Sequence, residues 1–311
     1  MSLLVFTVRR LLGTLALIPV VMLATFALLR GAGGSPFRPP EGYFVVPGPY
    51  QRFLSDFYHL DDPWVVQYLI YVKNVFTFNF GPSQVQRSLD VTDVIRMSFP
   101  VTLQLVLLAV AWALPLGIGL GVFAATRRNS LLDALTTSTA SVMLVVPVFF
   151  VAFLLSTYFV FEWHLFPPGW EGWRAKVLPS ITLALAPTGY IARLVRGAVV
   201  EQLQEDYVRT ARAKGLLWRR IVWTHVLRNS LVPFLSAAIP MLAMLITGAF
   251  FVEQLFRIPG ASSFFVEAAL TRDYPLMMGM SVALAIVVLF ANFLADLALV
   301  LLDPRLREAT S

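Results

Sequence analysis

Apolar residues fall into long runs separated by short polar islands. The runs cover roughly 11–29 (within a first helix at 1–30), 101–124, 131–159, 177–193, 232–252 and 276–302. A bilayer core about 30 Å thick takes about 20 apolar residues per helix. The pattern therefore predicts an all-α polytopic membrane protein with six transmembrane helices. The first run is flanked by Arg9, Arg10 and Arg30 and is longer than the apolar region of a cleavable signal, so it reads as a retained span. Residues 31–98 form a polar segment. Its first part, GGSPFRPPEGYFVVPGPY, is too rich in Pro and Gly for a long helix. The later HLDDPWVVQYLIYVKNVF predicts a helix on the membrane surface or over a cavity mouth, with Asp62 as N-cap and Pro63 at the first helical position.

Several runs contain proline: Pro19, Pro115, Pro147, Pro187 and Pro240. Each removes a helical hydrogen bond, which a membrane bundle tolerates where neighbours or water satisfy the freed carbonyl. Gly117 and Gly121 form a GxxxG that admits a second helix at close range. Ordinary bundle packing and a pathway shaped by kinked helices both fit these residues.

Composition supports the membrane reading. Of 311 residues, 58% are hydrophobic and 14% charged, against about 45–50% and about 25% in soluble domains. The net charge of +6 sits in short clusters between apolar runs, which is a topology signal rather than a nucleic-acid surface. With the N-terminus inside, the inner segments hold fourteen Lys and Arg, from Arg9 to Arg307. The short outer loops hold four: Arg174, Lys176, Arg257 and Arg272. This predicts both termini in the cytoplasm (N-in, C-in) and a cytoplasmic tail at 304–311. The absence of cysteine excludes a disulfide framework. His59, His164 and His225 are scattered and suggest no metal site.

The island at 197–230 is polar without being loop-like. EQLQEDYVRTARAKG consists of good helix formers and ends in Gly215, a common helix stop. Glu205 and Asp206 precede Arg212 and Lys214, matching the helix dipole. Ala211, Ala213 and Gly215 are small enough to seat in a partner's groove. A second stretch, 217–227, interleaves Trp218, Ile221, Trp223 and Val226 with arginines and reads as an interfacial elbow.

The stretch Glu205-Asp206-Tyr207-Val208-Arg209-Thr210-Ala211-Arg212-Ala213-Lys214-Gly215 resembles the cytoplasmic "EAA" loop of binding-protein-dependent ABC importers, in its peptide-permease form. Four further motifs follow that family in order: LDDPWVVQY, PVTLQL, PGASSFFVEAALTRDYPLMMG and NFLADLALVLLDPRLR. They resemble the dipeptide-permease B type, whose relatives also move nickel chelates, glutathione or short oligosaccharides. Two outer positions depart from the pattern. Gly33-Gly34-Ser35-Pro36 carries no acid where relatives have a PGDP-like turn, and Ser262 replaces a usual glycine.

The resemblance implies the type I ABC importer permease fold in a prokaryotic cytoplasmic (inner) membrane, with residues 99–303 as the transmembrane domain. It implies a homologous second permease, two cytoplasmic ATPases, an extracytoplasmic solute-binding protein and surrounding lipid, and no nucleic acid. The chain contains no G-x-x-x-x-G-K-[ST] phosphate loop. No enzymatic role or cofactor is therefore expected in this chain, and ATP with Mg is expected on the ATPase partners. On this resemblance Glu205, Asp206, Tyr207, Arg209, Thr210, Ala211, Arg212, Lys214 and Gly215 form the ATPase-coupling loop. Glu205 would cap the helix or pair with the partner. Ala211 and Gly215 would allow close seating, and the basic residues would meet the partner's polar rim.

Three more polar positions stand in or near spans. Asp296 reads as a structural ion pair with Arg193 or Arg196, and Asn292 as a bond across helices. Glu253 either faces the solute or is a solvated helix end. An ion-coupled secondary transporter is the alternative of a different class; it calls for paired intramembrane acids around a midplane site. An intramembrane hydrolase calls for a His–Ser or paired-Asp constellation, which this chain does not place inside its spans.

Overall fold

The computed structural model describes residues 3–31, 48–85, 89–230, 241 and 245–302. The described residues are helical apart from turns, with one isolated bridge between Pro82 and Asp90. The helices are α1 (Leu3–Gly31), α2 (Gly48–Tyr58), α3 (Trp64–Phe76), α4 (Val91–Thr126), α5 (Leu131–Val145) and α6 (Val148–Leu155). There follow α7 (Gly172–Gln202), α8 (Asp206–Ala213), α9 (Trp218–Arg220), α10 (Leu245–Phe256), α11 (Ala261–Thr271) and α12 (Tyr274–Leu302). Two π-helical stretches extend α6 and α9: Ser156–Glu162 and Ile221–Val226.

Among the described residues four helices, α1, α4, α7 and α12, are long and apolar enough to cross a membrane, and a fifth crossing exists if a bent pair is one span. That pair covers the expected span at 131–159, with a sharp bend at the proline noted in the sequence. Leu131–Val145 and Val148–Glu162 meet at 96°. The cause is local. Pro147 disfavours the helical region for the residue before it, and Val146 is extended with φ −71° and ψ 122°. The expected span at 232–252 falls largely on 231–240 and 242–244, outside the described residues, as do the 304–311 tail and most of the Pro/Gly-rich stretch after α1. Helix α4 begins ten residues before the expected 101, and its 36 residues exceed the length of a single crossing.

The chain divides into two compact units. Unit 1 comprises Met1–Phe6, Leu103–Arg257 and Leu294–Ser311; unit 2 comprises Thr7–Thr102 and Ile258–Phe293.

Unit 1 is organised around α7, which packs against α5, α6 and α10. Backbones come very close here. A Cβ on Gly117 would lie 2.5 Å from Ile191 Cγ2, one on Gly121 2.7 Å from the Ala192 carbonyl, and one on Gly189 2.4 Å from the Ala140 carbonyl. The Gly117–Gly121 pair therefore receives α7, as the GxxxG spacing suggests, and Gly189 on α7 returns the contact to α5. The Trp112 indole adds a bond to Ser180 Oγ at 3.2 Å.

Unit 2 has its core between α1, α3, the start of α4, α11 and α12, with Met22, Val91, Val94 and Ala268 fully buried. Helix α3 starts differently from the sequence expectation. Pro63 occupies the N-cap position and no side chain caps the helix. Asp62 instead faces His59 Nδ1 at 3.0 Å. The buried Gln67 amide reaches back to the carbonyls of Leu60 (3.0 Å) and Asp62 (2.6 Å). Helix α2 was not expected, because its GPYQRFLSDFY follows a breaker-rich stretch; Tyr50 and Tyr58 hold it by donating to the Ser83, Phe80 and Pro82 carbonyls. Burial, with the carboxylates of Asp273 and Asp90 nearby, lifts the Tyr58 phenol well above its usual range and keeps it a donor. Asp273, 1% exposed, caps α12 by accepting from Leu276 N at 3.1 Å. The same carboxylate accepts from Ser83 Oγ and from the Gln84 and Val85 amides.

Gly189→Ala should cost about 1–3 kcal/mol, since its methyl meets a backbone carbonyl that cannot move away alone. Gly197→Ala, on the same helix with open space around it, should be neutral or stabilising by up to about 1 kcal/mol. Thermal melting of the purified chain in one detergent compares the two; equal melting temperatures would refute the close packing.

Candidate functional site

Helix α7 ends at Gln202 and a three-residue turn leads into α8. The island is thus split where the sequence suggested one continuous helix up to Gly215. The hydroxyl of Tyr207 bonds Gln202 Oε1 at 2.9 Å and holds α8 to the end of α7. Asp206 lies in the first turn and Arg212 in the last, so both complement the helix dipole. The Asp206–Arg209 pair, 3.6 Å apart, is almost fully exposed and adds little to stability. Thr210 Oγ1 donates to the Asp206 carbonyl at 3.0 Å.

The C-terminal end of α8 is a Schellman motif. Leu216 N donates to the Ala211 carbonyl (3.2 Å) and Gly215 N to the Arg212 carbonyl (2.9 Å). Lys214 is the C-cap. Gly215 has φ +75°, a conformation that costs other L-residues about 1–2 kcal/mol. Its Cβ position is open space within this chain. The local fold therefore requires glycine here for its backbone, independently of any partner.

Val208 and Ala211 are buried on the inner face of α8, which packs against the π-helical Ile221–Val226 stretch. Ala211 thus seats α8 on its own chain. Arg212 is exposed but lies along its own chain, its guanidinium 4.2 Å from the Trp218 ring centroid, a cation–π contact worth about 0.5–1 kcal/mol at an exposed site. Glu205 occupies the N-cap position, but its side chain makes no capping bond. Glu205, Asp206, Arg209, Thr210, Arg212, Ala213, Lys214 and Gly215 are exposed. The result is a short helix stapled at both ends with one charged face outward.

Six residues before the end of α7, Arg196 forms a fork with Asp133 of α5: Nε to Oδ1 at 2.6 Å and Nη2 to Oδ2 at 2.7 Å. The Asp133 side chain is 5% exposed and that of Arg196 30%. Ser130 caps α5 by accepting from Asp133 N, while Asn129 N donates to the Asp133 carboxylate. Sequence reading missed Asp133 and assigned Arg196 as a candidate partner of Asp296. The available signal was Ser130-Leu131-Leu132-Asp133, a capping-box spacing ahead of an apolar run.

The remaining positions stand apart from α8. Glu253 on α10 is 1% exposed, which removes the solvated-end reading. Asn292 donates to the Val288 carbonyl of its own helix at 2.9 Å, rather than across helices. Asp296 is partly buried near the end of α12. No group of three or more His, Asp or Glu suited to a metal ion occurs among the described residues.

Residues 117–308 match the family model described as "Binding-protein-dependent transport system inner membrane component". The chain belongs to this family. Its relatives include the dipeptide transport system permease protein DppB of Bacillus subtilis (strain 168), 40% identical over 303 residues and 97% of each chain. The oligopeptide transport system permease protein OppB of Escherichia coli (strain K12) is 35% identical over 97% of this chain and 99% of its own. Among solved structures, a chain of the MetNI methionine ABC transporter in an inward-facing conformation matches with a TM-score of 0.51 over 68% of this chain and 94% of its own; at 19% identity this establishes the shared permease fold. The protein is a membrane-embedded ABC permease, and α8 lies in the part of the chain covered by the family match.

Gly215→Asn, which tolerates positive φ, should keep the Schellman motif and melt within about 0.5 kcal/mol of the parent. Gly215→Val should lose about 1–2 kcal/mol. Hydrogen exchange of the Gly215 and Leu216 amides reads the difference, and equal protection would refute the backbone argument. Asp133→Asn should destabilise the chain by about 1–2 kcal/mol by weakening the fork to the partly exposed Arg196, with Asp133→Leu/Arg196→Met recovering most of it. A double variant no better than the single one in thermal melting would contradict this.

Proposed function

We propose that the chain is a permease subunit of an ATP-driven importer and forms half of a translocation pathway for peptides delivered by an extracytoplasmic binding protein. A homologous permease supplies the other half, and two cytoplasmic ATPases bind ATP and Mg. Six spans, including the one at 232–252, place both termini and the 197–230 island in the cytoplasm; the fourteen-to-four distribution of Lys and Arg supports this orientation. Residues 99–303 form the transmembrane domain. The similarity to peptide permeases over nearly the whole chain supports peptides as the solute.

The observation that carries the reading is the stapled geometry of α8. Moving a two-state gate from 1:99 to 99:1 takes about 5.5 kcal/mol of differential interaction. A partner can deliver that only through an element that does not yield first. Helix α8 is held by Tyr207 at one end and by the Schellman motif and Arg212–Trp218 at the other. Asp206, Arg209, Thr210 and Lys214 face outward to meet an ATPase groove. The load then passes through α7 and the Asp133–Arg196 fork to α5 and the bent pair. Glu253, buried beside this frame on α10, is assigned to the pathway or its gate.

The test is reconstitution of the assembled transporter in proteoliposomes with radiolabelled dialanine and its binding protein. Uptake should require ATP and persist when ion gradients are collapsed. Arg209→Glu/Lys214→Glu should cut uptake at least tenfold while the permease remains folded. Uptake that follows an ion gradient without ATP would contradict the importer reading.

A further inference from the structure

Unit 2 contains a cavity of about 200 Å³. It is a partly open cavity lined by the end of α1, by α2, by α3 and by the first turns of α12, with Phe26, Tyr58, Trp64, Tyr71 and Met278 among its walls. An apolar cavity of about 150 Å³ accepts benzene, and whole-ligand pockets begin near 300 Å³. The space therefore suits one large side chain with its polar end, and is too small for an intact peptide or a long acyl chain.

Arg30 is the one charged residue on the described wall. It is half-buried, lies 5.6 Å from the Phe26 ring centroid and donates to Gln67 Oε1. Gln67 cannot turn that oxygen away. It is 4% exposed, and both bonds from its Nε2 are fixed on the Leu60 and Asp62 carbonyls. The guanidinium is therefore held by a neutral, immobile acceptor that uses one of its five N–H groups. Among the described residues no carboxylate pairs with it. The carbonyls at the C-terminal end of α1 offset part of the charge. A ligand carboxylate would offset it fully through the two-bond fork that arginine favours. The Tyr58 and Tyr71 hydroxyls donate to backbone carbonyls of Phe80, Pro82 and Met278, so their rings act as walls rather than as anion donors.

We propose that this cavity binds a carboxylate attached to an apolar or aromatic body of single-residue size, and that its occupant is the carboxy-terminal residue of a peptide. The choice of a peptide rests on the import reading above; the carboxylate chemistry stands on the cavity itself. A membrane fatty acid offers the same head group, but its chain exceeds the space. On the proposed orientation the site lies at the extracytoplasmic side, where peptides arrive.

The test uses the full chain in phosphatidylcholine nanodiscs, titrated calorimetrically with N-acetyl-L-phenylalanine and with its carboxamide. The acid should bind at least tenfold tighter than the amide. Arg30→Gln should abolish that preference, Arg30→Lys should keep part of it, and Leu29→Trp should block binding by filling the cavity. Melting temperatures check that each variant is folded. Equal binding of acid and amide, or an acid preference that survives Arg30→Gln, would overturn the site. Decanoate binding tenfold tighter than N-acetylphenylalanine would overturn the peptide occupant. Uptake of alanyl-phenylalanine by the wild-type assembly separates the two levels. Uptake with no Arg30-dependent probe binding defeats the cavity while import stands. Arg30-dependent binding with no ATP-driven uptake of any peptide defeats the import reading and, with it, the peptide occupant.

Discussion

Close approach of backbones at α7 is the constraint on which unit 1 depends. In a bilayer, helix association gains little from the hydrophobic effect, since lipid tails are as apolar as the side chains. Association must come from packing and a few polar contacts. Gly117 and Gly121 bring α4 against α7, and Gly189 brings α7 against α5, each at a distance that a methyl group would violate. At the edge of that packing the half-buried Asp133–Arg196 fork makes two bonds, and Asp133 also binds the chain entering α5. The pair fixes the register of α5 on α7 at the end nearest α8. A half-buried pair of this kind adds little net stability over an apolar replacement. Its value lies in allowing one arrangement of the helices.

That arrangement gives α8 a firm base. A free helix of eight residues would be unstable in water. Here Val208 and Ala211 are buried, Tyr207 ties the start to α7, and Gly215 turns the chain so that Arg212 closes over Trp218. The outward residues carry charge and little apolar surface, as expected of a face that docks reversibly on a partner while remaining soluble without it. Unit 2 is held by different means. Asp273 gathers the start of α12 and the chain at 83–85 around one carboxylate, and tyrosine hydroxyls tie α2 and α3 to carbonyls of other segments.

Hydropathy made the long helices legible because a lipid-facing helix must be apolar along its length. Helices α1, α4, α7 and α12 fall where their runs predict, with ends displaced by up to about ten residues. Pro147 was visible as a kink, but the 96° bend was not, because composition reports the loss of one hydrogen bond and not the direction the chain then takes. The helical character and end of α8 were legible from its charges and Gly215. Its inner and outer faces were not, since Ala211 is buried against the chain itself while Arg212, one position on, is exposed and stacks on Trp218. Partner choice was the weakest reading. Arg196 bonds Asp133, 63 positions away, and Asn292 bonds its own helix. Long-range pairing depends on rotation of helices about their axes, which apolar composition leaves open.

The central claim is that the outer face of α8 contacts an ATPase subunit. The chain has no cysteine, so Thr210→Cys introduces a single thiol on the exposed face and Ala211→Cys a single thiol on the buried one. A thiol-to-amine cross-linker applied to the assembled transporter, read by mass spectrometry, compares them directly. The account predicts a Thr210→Cys product joined to an ATPase subunit, with a yield that changes on ATP binding, and little product from Ala211→Cys. An assembled transporter in which Thr210→Cys cross-links to no ATPase subunit, in either nucleotide state, would contradict it.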